Sequence, residues 1–399
     1  MPRDPRAGRR QPHIVHVVFD FHGGGMESLV CDLARRFAGR ASVSVISLSG
    51  RIGRAGGAIL PLLDQLHVLQ PIPGWSMLAP LGLTRRLREL RPDAVHLHSG
   101  AWFKGALAAR LAGVPVIVFT EHGREHNDPR SQRLLDRSAA LLTDAVVAVS
   151  PRLHWYLHNA IGVPERKLHT IVNGVDVAGL SATVPDDGLR ARLGIPPGAP
   201  VIGSVGRFQP VKAYDVLISA FAAMRAGGGR AAEAHLVLCG DGPELPALKR
   251  LTGELGLDAV IHVAGWIDQP APYYRMFDVF TLTSTSEGAP VSLMEAMVCG
   301  ALPVVTEVGA NAEILGPDLA DRLVTPGDIP GISRALGEAL TSPSVAELRR
   351  IAFRRIETDY NLDRLVGEYE RLYRGERIGA TVKASRAVSL SRPREHLQS

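Results

Sequence analysis

The stretch STSEGAPVSLMEAMVCG, Ser284 to Gly300, places two glutamates in an otherwise apolar, helix-forming run. Pro290 suits the first helical position, because its missing N–H would have no partner there in any case. The spacing predicts a helix from Val291 to about Val298 that stops at Gly300. Glu287 then lies just before the helix, and Glu295 more than one turn inside it. Between Gly288 and Thr306, Glu295 is the only charged residue. A buried carboxylate costs several kcal/mol unless it is hydrogen-bonded, roughly the scale of a protein's whole stability margin. Glu295 therefore needs a partner that the local sequence does not supply.

Working outward from this stretch, short apolar runs alternate with helical patterns. On the N-terminal side the strands are His13–Phe19, Ser42–Leu48, Ala94–His98, Val114–Thr120 and Ala145–Ser150, with helices at Met26–Phe37 and Leu81–Leu90. Residues 177–200, rich in Pro, Gly and Asp, read as a linker. The alternation restarts with strand Val201–Val205, helix Asp215–Met224, strand His235–Cys239 and helix Pro243–Leu255. Strands Val260–Ala264, Val279–Leu282, Pro303–Thr306 and Leu323–Thr325 follow, and helices at 345–357 and 362–374 close the chain. This β-α-β-α order predicts an α/β fold of two doubly wound parallel-sheet domains, 13–178 and 200–361. Helix 362–374 is expected to pack back on the first domain. Open sheets of this kind bind ligands beyond the strand C-termini, so the cleft between the domains is the expected site.

Bulk properties agree. The chain has 399 residues, 46% hydrophobic and 21% charged, which suits two globular domains. Its three cysteines imply neither a disulfide framework nor a CxxC metal site. No apolar run approaches the roughly 20 residues of a membrane span, and IVHVVFDF reads as a strand rather than a signal segment, so a cytoplasmic location is expected. The net charge of +5 lies in the ends: 1–10 and 376–399 each carry +3, leaving −1 for the body. The tails 1–12 and 376–399 are expected to be disordered, with contact to anionic lipid headgroups as a second reading. Basic charge confined to tails does not support nucleic-acid binding.

Several residues are candidates for chemistry. Sugar and ribose hydroxyls bond carboxylates well, so a nucleotide-sugar would account for Glu287 and Glu295 together. The alternative is a helix-dipole role for Glu287 and a private hydrogen bond for Glu295. In GSVGRFQPVKAYDVLISAF (203–221), Arg207 and Lys212 sit five residues apart on a strand-to-helix loop, a pattern suited to a diphosphate. Lys212 is one of only five lysines beside forty arginines, so it is not random background. The turn FHGGGMES (21–28) lets backbone approach a ligand closely. It is not a dinucleotide fingerprint, because Ser28 stands where the third glycine would be and no acidic residue ends the second strand. The loop TEHGREHND (120–128) contains His122 and His126 in an H-x-x-E-H spacing, a zinc-peptidase pattern requiring one helix face. Gly123, the preceding strand and Asn127-Asp128-Pro129 argue against that helix. His96 and His98 share one strand face near another C-terminal edge.

Taken together, these residues resemble the retaining glycosyltransferases of family 4, which have the GT-B fold, over roughly residues 13 to 374. The resemblance rests on the GGG turn at 23–25, EHG at 121–123, VSP then NGVD (173–176), Arg207 and Lys212, GDGPE (240–244) and the Glu287/Glu295 pair. The loop TEHGRE is similar to that of sugar transferases of bacterial exopolysaccharide systems. The resemblance implies that Arg207 and Lys212 hold a donor diphosphate, helped by the loop Gly288, Ala289, Pro290 and Val291 through the backbone N–H groups of its three non-proline residues. It implies that Glu287 binds donor-sugar hydroxyls, Glu295 the ribose, and that His122 sits over the sugar. Gly23, Gly24, Gly25, His98 and Asn173 would line the phosphate and acceptor side. No metal or other cofactor is expected, the nucleotide-sugar being a substrate. The acceptor would be a saccharide or lipid-linked saccharide. Rivals on the same fold are a nucleotide-sugar epimerase and a phosphorylase-like enzyme. One departure stands out: the family often has paired glycines where this chain has Gly309-Ala310, which bears on the donor loop.

Overall fold

The protein is described here as a computed structural model covering residues 11–21, 25–49, 63, 65–68, 80–123 and 128–378. The expectations for Gly23, Gly24, His126 and most of both tails lie outside the described residues.

Two parallel sheets form the frame. The first runs β3-β2-β1-β4-β5-β6-β7, with β1 at His13–Val18, β2 at Ser42–Ser47, β3 at Gln65–Val68 and β4 at Ala94–His98. Its remaining strands are β5 (Val116–Glu121), β6 (Ala145–Ala148) and β7 (Leu168–Thr170). The second sheet runs β10-β9-β8-β11-β12-β13. Here β8 is Val201–Val205, β9 His235–Cys239, β10 Ile261–Gly265, β11 Val279–Leu282, β12 Leu302–Thr306 and β13 Leu323–Val324. Central strands such as β4, β9 and β12 are buried at every position, as expected of a sheet covered on both faces. The apolar runs of the sequence are therefore the strands. Each sheet reverses its strand order once, between β1 and β4 and between β8 and β11. A crevice opens at such a reversal because the flanking connections leave to opposite faces.

Three features differ from the sequence expectation. β3 and β7 are short, and their histidines break the apolar pattern (QLHV and LHT), so neither stands out as a strand. The linker region holds two short helices, Val177–Ser181 and Leu189–Arg192. Pro290 is the residue preceding the helix Val291–Val298 rather than its first member, with an extended ψ of 113°.

The chain returns to its first sheet at its end. Val175 and Asn361 form a parallel bridge, with the Val175 amide donating to Tyr360 and the Leu362 amide to Val175, each at 2.9 Å. Helix Leu362–Tyr373 buries Leu365, Val366, Tyr369 and Tyr373 against Ile14, Leu33, Phe37, Val118 and Val147. Tyr369 is fully buried, its hydroxyl 2.9 Å from Thr120 Oγ1 on β5. Among the described residues no helix is long and apolar enough to cross a membrane.

Truncating Tyr369 to Ala should destabilise the protein by about 3–5 kcal/mol, the usual cost of deleting a buried aromatic ring. Urea denaturation checks this. A loss below about 1 kcal/mol, the scale of a surface substitution, would contradict the docking of the last helix.

Candidate active site

The two loops following β8 and β11, the strands flanking the reversal of the second sheet, meet at Glu287. After β8 the chain turns at Gly206, buries Phe208 and forms a short 3-10 turn at Pro210–Lys212. Lys212 Nζ donates to Glu287 Oε1 at 2.6 Å, and Ser284 Oγ donates to the same oxygen at 2.6 Å. The Glu287 side chain is only 8% exposed and that of Lys212 21%. Thr283 Oγ1 donates to the carbonyls of Lys212 and Ala213, and the Thr285 amide donates to Val211. These bonds hold the two loops in register, so the ion pair is built in. Two charges so enclosed need each other, since removing one leaves the other desolvated and unpaired. Arg207, on the same loop, is exposed and forms no ion pair with a described residue. Its loop is pinned by the Phe208 amide, which donates to Asp241 of the GDGPE segment at 2.9 Å.

The next residues carry the contact between domains. A Cβ on Gly288 would stand 1.8 Å from the carbonyl oxygen of His122, so only glycine fits. Asn173 Nδ2 donates to the Ala289 carbonyl at 2.8 Å. Gly25, which opens helix Gly25–Phe37, lies against Val291, which opens helix Val291–Val298; a Cβ there would be 3.7 Å from Val291 Cγ2. Two helix N-termini, one from each domain, therefore adjoin. The second has no side-chain cap, which leaves backbone N–H groups and the positive dipole end available to an anion. Gly309 has a φ of +58°, and a Cβ there would lie 2.4 Å from the Glu287 carbonyl. Its neighbour Ala310 sits at φ −100° and its amide donates to Gly288 at 2.8 Å. The departure noted at Gly309-Ala310 is thereby explained: the first position demands glycine and the second accepts a methyl group.

From the first domain, His122 stands just past the end of β5, outside any helix. The H-x-x-E-H reading needs a helix that His122 and Gly123 do not form; its second histidine, His126, lies outside the described residues. Burial holds the His122 imidazole down at a pKa of about 3, so it is neutral. His98 Nδ1 lies 2.8 Å from His122 Nε2. His98 itself is fully buried, so the expectation that it lines the cleft is corrected: it stands behind His122. Between the domains lies a cavity of about 480 Å³, bordered by Gly123, Ser150 and Arg152 on one side and by Thr285, Glu287 and Gly309 on the other.

Glu295 also requires a correction. It does not await its first partner: the Tyr274 hydroxyl donates to Oε2 at 2.9 Å. Burial raises the Glu295 pKa to about 7, against the lowering effect of that hydrogen bond, and the nearby Asp32 of helix Gly25–Phe37 raises it further. Burial also pushes the Tyr274 phenol well above its ordinary value, so it remains a donor. Sequence reasoning missed Tyr274, Ser284 and Arg152. Tyr274 is indistinguishable from Tyr273 by pattern alone, and Arg152 is one arginine among forty. The one available signal for Arg152 was its place immediately after VSP at the end of β6.

Two predictions follow from this geometry. Gly309→Ala should lower turnover by about 10²-fold or more, because it displaces the Glu287 backbone, whereas Ala310→Gly should cost no more than about 1 kcal/mol of stability. Equal effects in steady-state assays and melting curves would contradict the assignment. For Glu295, the folded protein binds more protons than the unfolded chain between the ordinary carboxylate value of 4.5 and about 7. Stability from this group is therefore full below pH 4.5 and is lost as pH rises through 7, by an amount on the order of 3 kcal/mol. Glu295→Gln should remove that loss, and superimposable pH–stability curves for variant and wild type would refute it.

Comparison with known proteins is consistent with this arrangement. Residues 23–178 match the family described as Glycosyltransferase Family 4, and residues 186–355 match Glycosyl transferases group 1. A D-inositol 3-phosphate glycosyltransferase of Salinispora arenicola is 26% identical, aligned over 90% of this chain and 88% of that protein. The UDP-Gal:alpha-D-GlcNAc-diphosphoundecaprenol alpha-1,3-galactosyltransferase of Escherichia coli is 25% identical over 75% of this chain and 79% of that one. HepE of Anabaena, solved in complex with UDP-glucose, superposes with a TM-score of 0.77 at 21% identity, covering 90% of this chain and 98% of that chain. Two parallel-sheet domains, each matched by a glycosyltransferase family, make the chain an enzyme of the GT-B glycosyltransferases, with a family 4 N-terminal domain.

Proposed function

We propose that the enzyme moves a sugar from a UDP- or GDP-sugar to a hydroxyl of a saccharide or lipid-linked saccharide, with retention of anomeric configuration. Polysaccharide or glycolipid assembly on the cytoplasmic side of a membrane is the setting this reading assigns. The observation that carries it is the Lys212–Glu287 pair beside the interdomain cavity, next to two adjoining helix N-termini.

In this reading the donor diphosphate takes the positive end of helix Val291–Val298, and Lys212 turns from Glu287 toward the phosphate. Arg207 adds a second cation from the same loop. Negative charge that develops on the leaving nucleotide meets fixed positive groups already in place, the condition under which electrostatic stabilisation is strongest. These cations and the dipole take the leaving-group charge without calling on a metal. Release of Lys212 frees Glu287 Oε1, which then accepts hydrogen bonds from sugar hydroxyls. Glu295 keeps its bond to Tyr274 and takes the ribose hydroxyls as further donors. Glu287 is the one carboxylate bordering the cavity among the described residues. A covalent route needs a second carboxylate on the opposite face of the sugar, so front-face transfer is the reading adopted. The acceptor hydroxyl attacks the face the nucleotide leaves, and its proton passes to the departing phosphate oxygen.

Glu287→Gln should reduce turnover by about 10²–10³-fold while nucleotide affinity stays the same or rises, since Lys212 loses its competing carboxylate. Lys212→Ala should weaken both nucleotide binding and turnover. Thermal shift with UDP and GDP reads the affinity, because a ligand that binds only the folded state raises its stability. Full turnover by Glu287→Gln, or a product anomer opposite to the donor's, would overturn the proposal.

A further inference from the structure

Behind His122 lies a buried row of imidazoles. His16 on β1 pairs in register with His96 on β4, and His98 on β4 pairs with Thr120 on β5. Side chains two residues apart share a sheet face, so His96 and His98 point the same way. His16, His96 and His98 are all fully buried. His16 Nδ1 lies 3.0 Å from His98 Nε2, and His98 Nδ1 lies 2.8 Å from His122 Nε2. The two ends of this row, His16 Nε2 and His122 Nδ1, are buried and have no hydrogen-bond partner among the described residues. His96 stands apart from the row. Its nitrogens go to the Tyr373 hydroxyl and Thr120 Oγ1, each at 2.8 Å. A metal ion shared by His16, His96 and His98 would have to break one of these bonds.

We propose that His98 and His16 are positioning residues whose hydrogen-bonded chain fixes His122 with its proton on Nδ1, so that His122 presents a donor to a ligand oxygen. Proton counting carries the argument. Each neutral imidazole owns one N–H, and burial holds His16, His98 and His122 far below the range where they protonate at neutral pH. Three rings bring three protons. Two must occupy the two inter-ring bonds, one each, because a bond with two protons or none is no bond. Only two arrangements satisfy this. Either all three rings carry the proton on Nδ1 and the third proton emerges at His122, or all carry it on Nε2 and it emerges at His16. A buried N–H without an acceptor is the costlier orphan. Both end nitrogens are covered, but His16 is sealed in the sheet interior, whereas His122 is half-buried beside the cavity-lining Gly123, its carbonyl against Gly288. The donor end therefore belongs at His122, where a ligand oxygen can accept it. The tautomer of one ring is set by the bond its other nitrogen makes, and here that bond is set in turn by a third ring two strands away. The assignment of a ligand oxygen rests on the nucleotide-sugar reading; the tautomer itself does not.

The test is long-range 1H–15N correlation on the full-length enzyme with 15N-labelled histidine at neutral pH, the His122 signal assigned by its loss in His122→Asn. Free neutral imidazole favours Nε2–H, so the expected result is distinctive: His16, His98 and His122 all appear as neutral Nδ1–H. An Nε2–H form of His122, or an imidazolium at any of the three, overturns the proposal. This wild-type spectrum decides it even where a variant fails to fold. In His16→Phe the chain loses its anchor, and His122 should shift toward Nε2–H. Turnover with UDP-glucose or GDP-glucose as probes, whichever nucleotide binds, should fall about tenfold, with affinity for that nucleotide alone unchanged within twofold. An unchanged His122 signal in that variant also overturns it. Failure of wild type to bind either nucleotide would instead refute the donor-site reading and leave the tautomer result standing.

Discussion

The constraint on which the site depends is the contact of Gly288 with the carbonyl oxygen of His122. The backbone of the second domain comes so close to the end of β5 that no side-chain carbon fits between them. Asn173 reinforces it with a hydrogen bond to the next carbonyl, at Ala289. Because Gly288 joins Glu287 to the helix that starts at Val291, fixing this one residue fixes three things together. It sets the carboxylate against Lys212, the open end of the helix against Gly25, and the end of β5 against the second domain. Two doubly wound domains would each have a crevice at the strand reversal; this contact is what turns two crevices into one cleft.

Within the cleft, charge is arranged ahead of its use. Lys212 and Glu287 neutralise each other at 2.6 Å while remaining near an uncapped helix end. A buried pair of this kind stabilises a fold weakly, because desolvation offsets most of the attraction. On the proposed reading, an anion takes the lysine and releases the carboxylate in a single exchange. Glu295 shows a related economy. Tyr274 satisfies one of its oxygens and burial raises its pKa to about 7; on the proposed reading, ribose hydroxyls that favour the charged form would find it close to its titration midpoint.

Much of this was legible in the sequence, for identifiable reasons. Fully buried parallel strands are mostly apolar, so β9 and β12 were plain, while β3 and β7 were hidden because they are short and at least half polar. Glu287 and Glu295 stood out because a lone charge in an apolar segment needs a partner. The identity of those partners was not legible. Lys212 was found by its rarity, but its pairing with Glu287 spans 75 residues, and Tyr274 approaches Glu295 from a different helix. The alternation in VHLH showed that His96 and His98 share a face. It did not show what covers that face; helix Leu362–Tyr373 brings the Tyr373 hydroxyl to His96.

The most direct measurement is a crystal structure of the enzyme with an intact nucleotide-sugar donor. The account predicts the diphosphate at the start of helix Val291–Val298, with Lys212 Nζ turned to a phosphate oxygen and away from Glu287. It also predicts ribose hydroxyls bonded to Glu295 beside an unbroken Tyr274 contact. A donor bound elsewhere, with the Lys212–Glu287 pair still closed, would contradict it.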